Sequence, residues 1–329
     1  MRYFILLLSI FSTTVFAKHY TNCTFQNPHY SEICTKVVKK GVSYDYANKF
    51  LLSYFKTQKY DEVSWKYLKP KYIKYHKQRE KKANNVLITR IPQMVENLQK
   101  YQEAYKYAEK KYGVNKEIIA AILLKETNLG KIQPTHDAFI VFNTIVTRLP
   151  DPQTKREEWL LRMGKTNMAT IIEYCYKEKL IPEQCNLPSS YAGAVGIPQF
   201  MPNSFVYAES YKNGIPDLSD MNDAIISVAK FLNKKADFNT LIDWNKMKNI
   251  ANIEQEWYQY EFDHNNTSFI YEQNSKTGKA YKCFTKNKPG LDYLKEYMKK
   301  VMRYNNSSNY AIGVIRLAHD AALLLVKQN

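Results

Sequence analysis

From Tyr44 to Tyr112 the chain carries no glycine, and its apolar residues recur at helical spacing among many Lys and Tyr. A stretch of that length and period leaves room for little but helices. Within it, Met94 to Lys111 reads as one helix: Pro92 suits its first turn, and Val95, Leu98, Tyr101, Tyr105 and Ala108 share a side. Tyr112 to Gly130 reads as the next, a helix of about four turns. In it Asn115 suits the N-cap, Glu117 the positive end and Gly130 the stop. Further helices are expected at Ile171 to Tyr176, Asn222 to Leu232, Pro289 to Met302 and Tyr310 to Lys327. Between Trp257 and Phe284 the pattern changes to short β-prone runs, Ser268 to Tyr271 and Ala280 to Phe284, around a turn at Lys276-Thr277-Gly278. The expected fold class is mainly α with a small β-hairpin insertion.

The first residues are of another kind. Met1-Arg2 precedes the apolar run Phe4 to Phe11, and Val15 and Ala17 are small. That pattern reads as a secretory signal cleaved after Ala17, too short to span a bilayer, and no later stretch is long enough either. Cys23 lacks the small-residue run that precedes a lipidated cysteine. Export decides how the net charge of +17 is read. A basic chain inside a cell suggests nucleic acid, but an exported one first meets anionic lipid and cell-wall polymer. No nucleic-acid partner is expected, and the charge permits peripheral contact with an anionic membrane or cell-wall surface. In an oxidising compartment an even subset of the five cysteines can pair. Cys23 with Cys34 and Cys175 with Cys185 each close a short loop, which leaves Cys283 over. No cysteine spacing resembles a zinc site.

Glu126 stands out chemically. It follows Ile122 and Leu123 by one turn and Ile119 by two, so it lies on or beside an apolar stripe. It also sits in the last turn, where the negative end of the helix dipole disfavours ionisation. Both effects raise a carboxyl pKa, as a general acid near neutral pH requires. The rival reading is an ion pair with Lys125 or Lys131, which geometry alone leaves open. A second segment, Ser190 to Phe205, supplies closely spaced Gly and Ala that admit a ligand to backbone. Its Gln199 has both a donor and an acceptor for sugar hydroxyls and acetamides.

Three blocks occur in order: Glu126-Thr127 with Gly130; Ala192-Gly193-Ala194-Val195-Gly196 with Gln199-Phe200-Met201-Pro202; and Tyr304-Asn305 with Tyr310-Ala311. Together they resemble the membrane-bound lytic transglycosylase B family, over roughly Met94 to Leu325. The resemblance implies a lysozyme-like helical core; the glycine-free stretch before it reads as an additional helical N-terminal region. With the signal pattern and the hairpin read above, the expected division is a signal peptide (1–17), an N-terminal helical region (18–93), a catalytic core (94–232), an insertion with the hairpin (233–288) and C-terminal helices completing the groove (289–329). Glu126 would be the catalytic acid and base, acting on peptidoglycan glycan strands in the periplasm. Ser190, Gln199, Met201, Tyr304, Asn305 and Tyr310 would bind substrate. The implied reaction cleaves the bond between N-acetylmuramic acid and N-acetylglucosamine and closes a 1,6-anhydro ring, with no cofactor. The alternatives are a hydrolytic muramidase and a wall-binding scaffold without turnover.

Two departures from the family pattern matter. Pro198 stands where some relatives have Gly before the Gln, removing a donor N–H. The family often carries a calcium loop after this block, but residues 209–217 place Tyr211 where an oxygen ligand is due, leaving Glu209, Asn213, Asp217 and Asp223. A surface turn on Asn213-Gly214 before a helix starting near Asp220 is the expectation there, with no metal.

Overall fold

The computed structural model describes residues 23–54, 60–73, 76–247, 250–254, 269–273, 280–284 and 291–328. The signal sequence expected at 1–17 and the turn at 276–278 lie outside them. In the N-terminal part, α1 (Pro28–Lys39) is capped by Asn27, α2 (Tyr44–Ser53) by Ser43 and α3 (Glu62–Leu68) by Asp61, each through its side chain. Two further helices follow, α4 (Pro70–Ile73) and α5 (His76–Ile88).

The single helix expected at Met94 to Lys111 is two, α6 (Ile91–Lys100) and α7 (Gln102–Tyr112). Tyr101 leaves helical geometry at φ −109 and ψ 30. The Tyr105 hydroxyl clips the elbow by donating to Asn97 Oδ1 at 2.7 Å. Each half then buries its own apolar face, Met94, Val95 and Leu98 on one and Tyr105 and Ala108 on the other.

The central helix, α8 (Lys116–Thr127), is buried from Glu117 to Leu124. It ends earlier than Gly130: Asn128 is the left-handed cap at φ 50, and Leu129 and Gly130 continue with positive φ. Asn115 does not cap it; its side chain grips Ile242, accepting from that residue's N–H at 2.7 Å. Next come α9 (Ala138–Arg148), capped by Asp137, and α10 (Lys155–Lys177), opened by a capping box of Thr154 and Glu157. Expected only at Ile171 to Tyr176, α10 is much longer because its first half is polar and its cap lies far upstream. Asp220 caps α11 (Met221–Ala236), which starts where the sequence places it. Two helices close the chain, α12 (Leu291–Val301) and α13 (Ser308–Gln328).

By length and composition α13 could cross a membrane, with mean hydropathy 1.3 over its apolar window, contrary to the expectation that no later stretch qualifies. Two thirds of that window, 67%, is buried, and α13 packs on α8, α6, α5 and α12 as a core helix. Strands are short: β1 (His136–Asp137) pairs antiparallel with β2 (Pro188–Ser189), and β3 (Phe269–Gln273) with β4 (Ala280–Phe284) as the expected hairpin, in the register Phe269 to Phe284.

Two apolar clusters hold the helices. One joins α6, α7, α8, α11, α12 and α13. The other joins α1, α2, α9 and α10 and contains Cys34, Cys175 and Cys185. Disulfides link Cys23 with Cys34 and Cys175 with Cys185, the two short-loop pairings, with Cα atoms 5.7 and 5.8 Å apart. Cys283 lies on β4.

Candidate functional site

Glu126 occupies the last turn of α8, and the next residue anchors that end of the helix. The Thr127 hydroxyl donates to the Ile197 carbonyl at 2.9 Å and accepts from the Gly130 N–H at 3.1 Å. The helix terminus is thereby fastened to the segment that carries Gln199.

That segment is a tight ribbon. Val195 and Phe200 exchange both backbone hydrogen bonds, at 2.8 and 3.0 Å, so residues 196–199 must turn within one short loop. Gly196 at φ +72 and Gln199 at φ +51 supply the left-handed conformations. For Gln199 this is a strained state held by its surroundings: its backbone N–H and its side-chain amide both donate to the Gly196 carbonyl, at 3.1 and 3.0 Å. The Ile197 N–H donates to the Leu218 carbonyl at 2.8 Å. Pro198 lacks an N–H but contributes its carbonyl, which accepts from the Tyr304 hydroxyl. Ser190 closes the other side of the ribbon, its hydroxyl accepting from the Ala194 N–H at 3.3 Å.

Glu126, Ser190 and Gln199 line one cleft of about 1010 Å³, together with Tyr191 and His136. Glu126 Oε1 accepts from the Tyr310 hydroxyl at 2.6 Å. The ion pair with Lys125 or Lys131 does not form. Lys125 turns away to donate to Asn84 and lies 4.9 Å from the centre of the Tyr310 ring. Burial pushes the Glu126 carboxyl up to about 7; donation from Tyr310 and the charge of Lys125 oppose the rise, and Glu80 adds to it. Burial and the neighbouring Glu126 hold the hydroxyls of Tyr304 and Tyr310 well above the usual phenol range. The arrangement is a carboxylic acid that keeps its proton near neutral pH at the edge of a large groove.

The other residues singled out from sequence fall into different places. Met201 and Tyr304 line a smaller depression of about 490 Å³, and Gln199 borders both spaces. Tyr310 is buried behind Glu126. Asn305 is exposed and lines neither space. Sequence reasoning missed the residues behind and beside the acid. Asn84 of α5 receives Lys125, and Glu80 of α5 accepts from the Ser307 hydroxyl at 2.6 Å. His136 lines the cleft beside Ser190, and no motif around it marks it. Glu80 and Asn84 are far from Glu126 in sequence.

The loop at 209–217 is a poor calcium site. The carboxylate of Glu209 accepts from Lys111 Nζ at 2.7 Å and the Tyr112 hydroxyl at 2.6 Å, with Lys230 Nζ at 3.4 Å. Both carboxylate oxygens of Asp223 accept backbone N–H groups, from Tyr211 at 2.7 Å and Asp217 at 2.9 Å. Ser219 uses Asp217 Oδ1 twice, through N–H and hydroxyl. Two ammonium groups beside the loop's Glu209 repel a divalent cation, and among the described residues no three acidic, His or Cys side chains converge.

Residues 26–319 match the family described as Transglycosylase SLT domain. A curated relative, membrane-bound lytic murein transglycosylase B of Escherichia coli (strain K12), is 32% identical over 133 residues, which is 40% of this chain and 34% of that protein. The match therefore spans about a third of the relative's length. Among solved structures, the E. coli lytic transglycosylase Slt35 in complex with bulgecin A aligns at TM-score 0.59 and 19% identity, over 92% of this chain and 95% of that one. SltB3 from Pseudomonas aeruginosa in complex with NAG-anhNAM-pentapeptide aligns at TM-score 0.57 and 16% identity, over 88% and 77%. At these identities the structural likeness is one of fold. Slt35 has also been solved with calcium.

Proposed function

Because the chain belongs to the Transglycosylase SLT domain family, we propose that it is a lytic transglycosylase acting on peptidoglycan strands, with Glu126 as its acid and base. The observation that carries the reading is the Glu126 carboxyl, hydrogen-bonded to Tyr310 in the cleft and pushed up to about 7. Protonated, Glu126 gives its proton to the glycosidic oxygen as the bond to C1 of the muramic residue breaks. The substrate's own acetamide oxygen shares the positive charge at C1. Glu126, now a carboxylate, removes the proton of the C6 hydroxyl, O6 bonds to C1, and the acid is restored. The bond cleaved joins N-acetylmuramic acid to N-acetylglucosamine, and the product carries a 1,6-anhydro end.

One group doing both proton transfers suits the electrostatics. Glycosidases with two carboxylates place both across the scissile bond. Here the charges that act on Glu126 are Lys125 and Glu80; Glu80 does not line the cleft, and Glu178 and Asp217, which do, are not among the groups that shift Glu126. Ser190 and Gln199, which line the cleft, are the groups proposed to hold substrate amides and hydroxyls. Tyr310 orients the acid, and Tyr304 steadies the ribbon through Pro198. Met201 marks a second, adjoining contact area. The anhydro product bound to SltB3, a protein of the same fold, supports this choice of nucleophile over water. The signal-like pattern read at residues 1–17 supports a periplasmic location.

Digestion of purified peptidoglycan followed by mass spectrometry tests the reading. Products ending in anhydro-muramic acid are expected. Products heavier by one water would make the enzyme a hydrolytic muramidase, and binding without products would make it a scaffold.

The loop at 209–217 is held by the Lys111–Glu209–Lys230 contacts, so metal is not needed for its shape. Addition of EDTA or of millimolar calcium is expected to leave the melting temperature within about 1 °C, since tight binding to the native state alone would stabilise by several kcal/mol. A calcium-dependent rise of several degrees would refute this.

A further inference from the structure

His136 lies on β1, its Cα opposite Ser189 and so beside Ser190 on the cleft wall. Its Nδ1 is 2.5 Å from Asp61 Oδ2 and 3.3 Å from Ser64 Oγ. Asp61 is buried, caps α3 through Ser64 and takes its own place from Thr144, whose hydroxyl accepts the Asp61 N–H at 2.8 Å. Burial pushes the Asp61 carboxyl up, but donation from Ser64 and from His136 outweighs it, and the net effect holds the carboxyl below its usual range. The ionised carboxylate therefore receives the Nδ1 proton, which fixes the orientation of the ring. Both Asp61 and Ser64 address the same nitrogen, so Ser64 is not a relayed nucleophile. Nε2 has no partner among the described residues, and it is not sealed from solvent.

The charge of the cleft gives this ring a specific use. The titratable carboxyls on its lining are Glu126, Glu178 and Asp217, and no described Lys or Arg lines it. Among the described residues His136 is thus the one side chain on that lining able to present positive charge, and the Asp61 carboxylate lies at its Nδ1, on the side away from the cleft. We infer that His136, held by Asp61, is a specificity-determining residue whose Nε2 recognises a carboxylate of the muramic stem peptide. The inference rests on the transglycosylase reading for the identity of the substrate. The dyad joins the N-terminal part to the cleft: α3 supplies the carboxylate and β1 the ring.

The test uses the full chain and two substrates, peptide-bearing strands and the same strands stripped of stems by an amidase. In His136→Gln the ratio of kcat/KM for peptide-bearing over stripped strands is expected to fall roughly tenfold, carried by KM, about the worth of one charge-assisted hydrogen bond. Asp61→Asn is expected to lower the same ratio by a smaller factor, as a positioning residue would. A fall of equal size on both substrates would overturn the inference in favour of a sugar contact or a packing role, as would an unchanged ratio. Calorimetric binding of a disaccharide-pentapeptide and of the bare disaccharide to Glu126→Gln, with and without His136→Gln, gives a readout free of turnover. Loss of peptide-dependent affinity there supports the inference even if the products turn out to be hydrolytic. Far-UV circular dichroism checks that each variant is folded.

Discussion

Glu126→Gln should abolish release of anhydro-muropeptides, by about a thousandfold or more, and should make the protein more stable above neutral pH. The first effect follows from removing the only group proposed to move protons at C1; general acid and base steps are each worth roughly 10²- to 10⁴-fold. The second follows from linkage. The Glu126 carboxyl has an ordinary value of 4.5 and is pushed up to about 7 in the fold, chiefly by burial. A group raised on folding contributes stability that is fully present below its unfolded value and is lost as pH rises through its folded value. Above pH 7 the folded protein therefore carries an ionised carboxylate that its surroundings disfavour, at a cost of order 3 kcal/mol. Gln is neutral at every pH and can still accept from Tyr310. Melting curves should show the variant above wild type by several degrees at pH 8 and equal to it near pH 4. Coincident curves at pH 8 would mean that the fold does not raise the carboxyl. The same proton sets the rate profile: wild-type kcat/KM should fall as pH rises through about 7, because acid catalysis needs the protonated form.

How much of this was legible in the sequence depended on how local each signal is. The Glu126 block, the Gly196 to Gln199 ribbon and Tyr310 were readable because each is a short run whose residue types are demanded by what they touch. Position on α8 suggested a raised pKa but could not tell a free acid from an ion pair. That needed Lys125, which the fold sends to Asn84 on α5, and Tyr310, which α13 brings to the carboxylate. Asp61 and His136 are 75 residues apart, and nothing in either neighbourhood announces the other. Asn305 was carried along with Tyr304, yet the turn after α12 leaves one exposed and the other bonded to Pro198. Adjacent residues in a turn need not share a fate, and a motif does not record which of its members faces the groove. The break at Tyr101 was hidden for a similar reason, since the apolar spacing continues across it.

Gly196→Ala should be strongly damaging to both stability and turnover. Gly196 sits at φ +72, and an added Cβ would lie 2.5 Å from Leu218 Cβ and 2.6 Å from the Leu218 carbonyl oxygen. Left-handed geometry alone costs an alanine roughly 1 to 2 kcal/mol. The contact adds more, because that carbonyl is already fixed by the Ile197 N–H and a backbone cannot swing aside as a side chain can. A total loss of about 2 to 4 kcal/mol is expected, measurable in urea. Relief of the clash must come from the ribbon itself, which carries Gln199 on one side and is tied through Ile197 to Thr127 on the other. Gln199 and Glu126 would then shift relative to each other, and a displacement near 1 Å can cost about a hundredfold in rate. Gly41→Ala separates strain from collision. Its φ is +96, but an added Cβ would meet nothing within 4 Å. That variant should lose only the conformational part of the stability and keep full turnover. If Gly196→Ala matches it in both measurements, the close approach of Leu218 does not hold the ribbon against the acid.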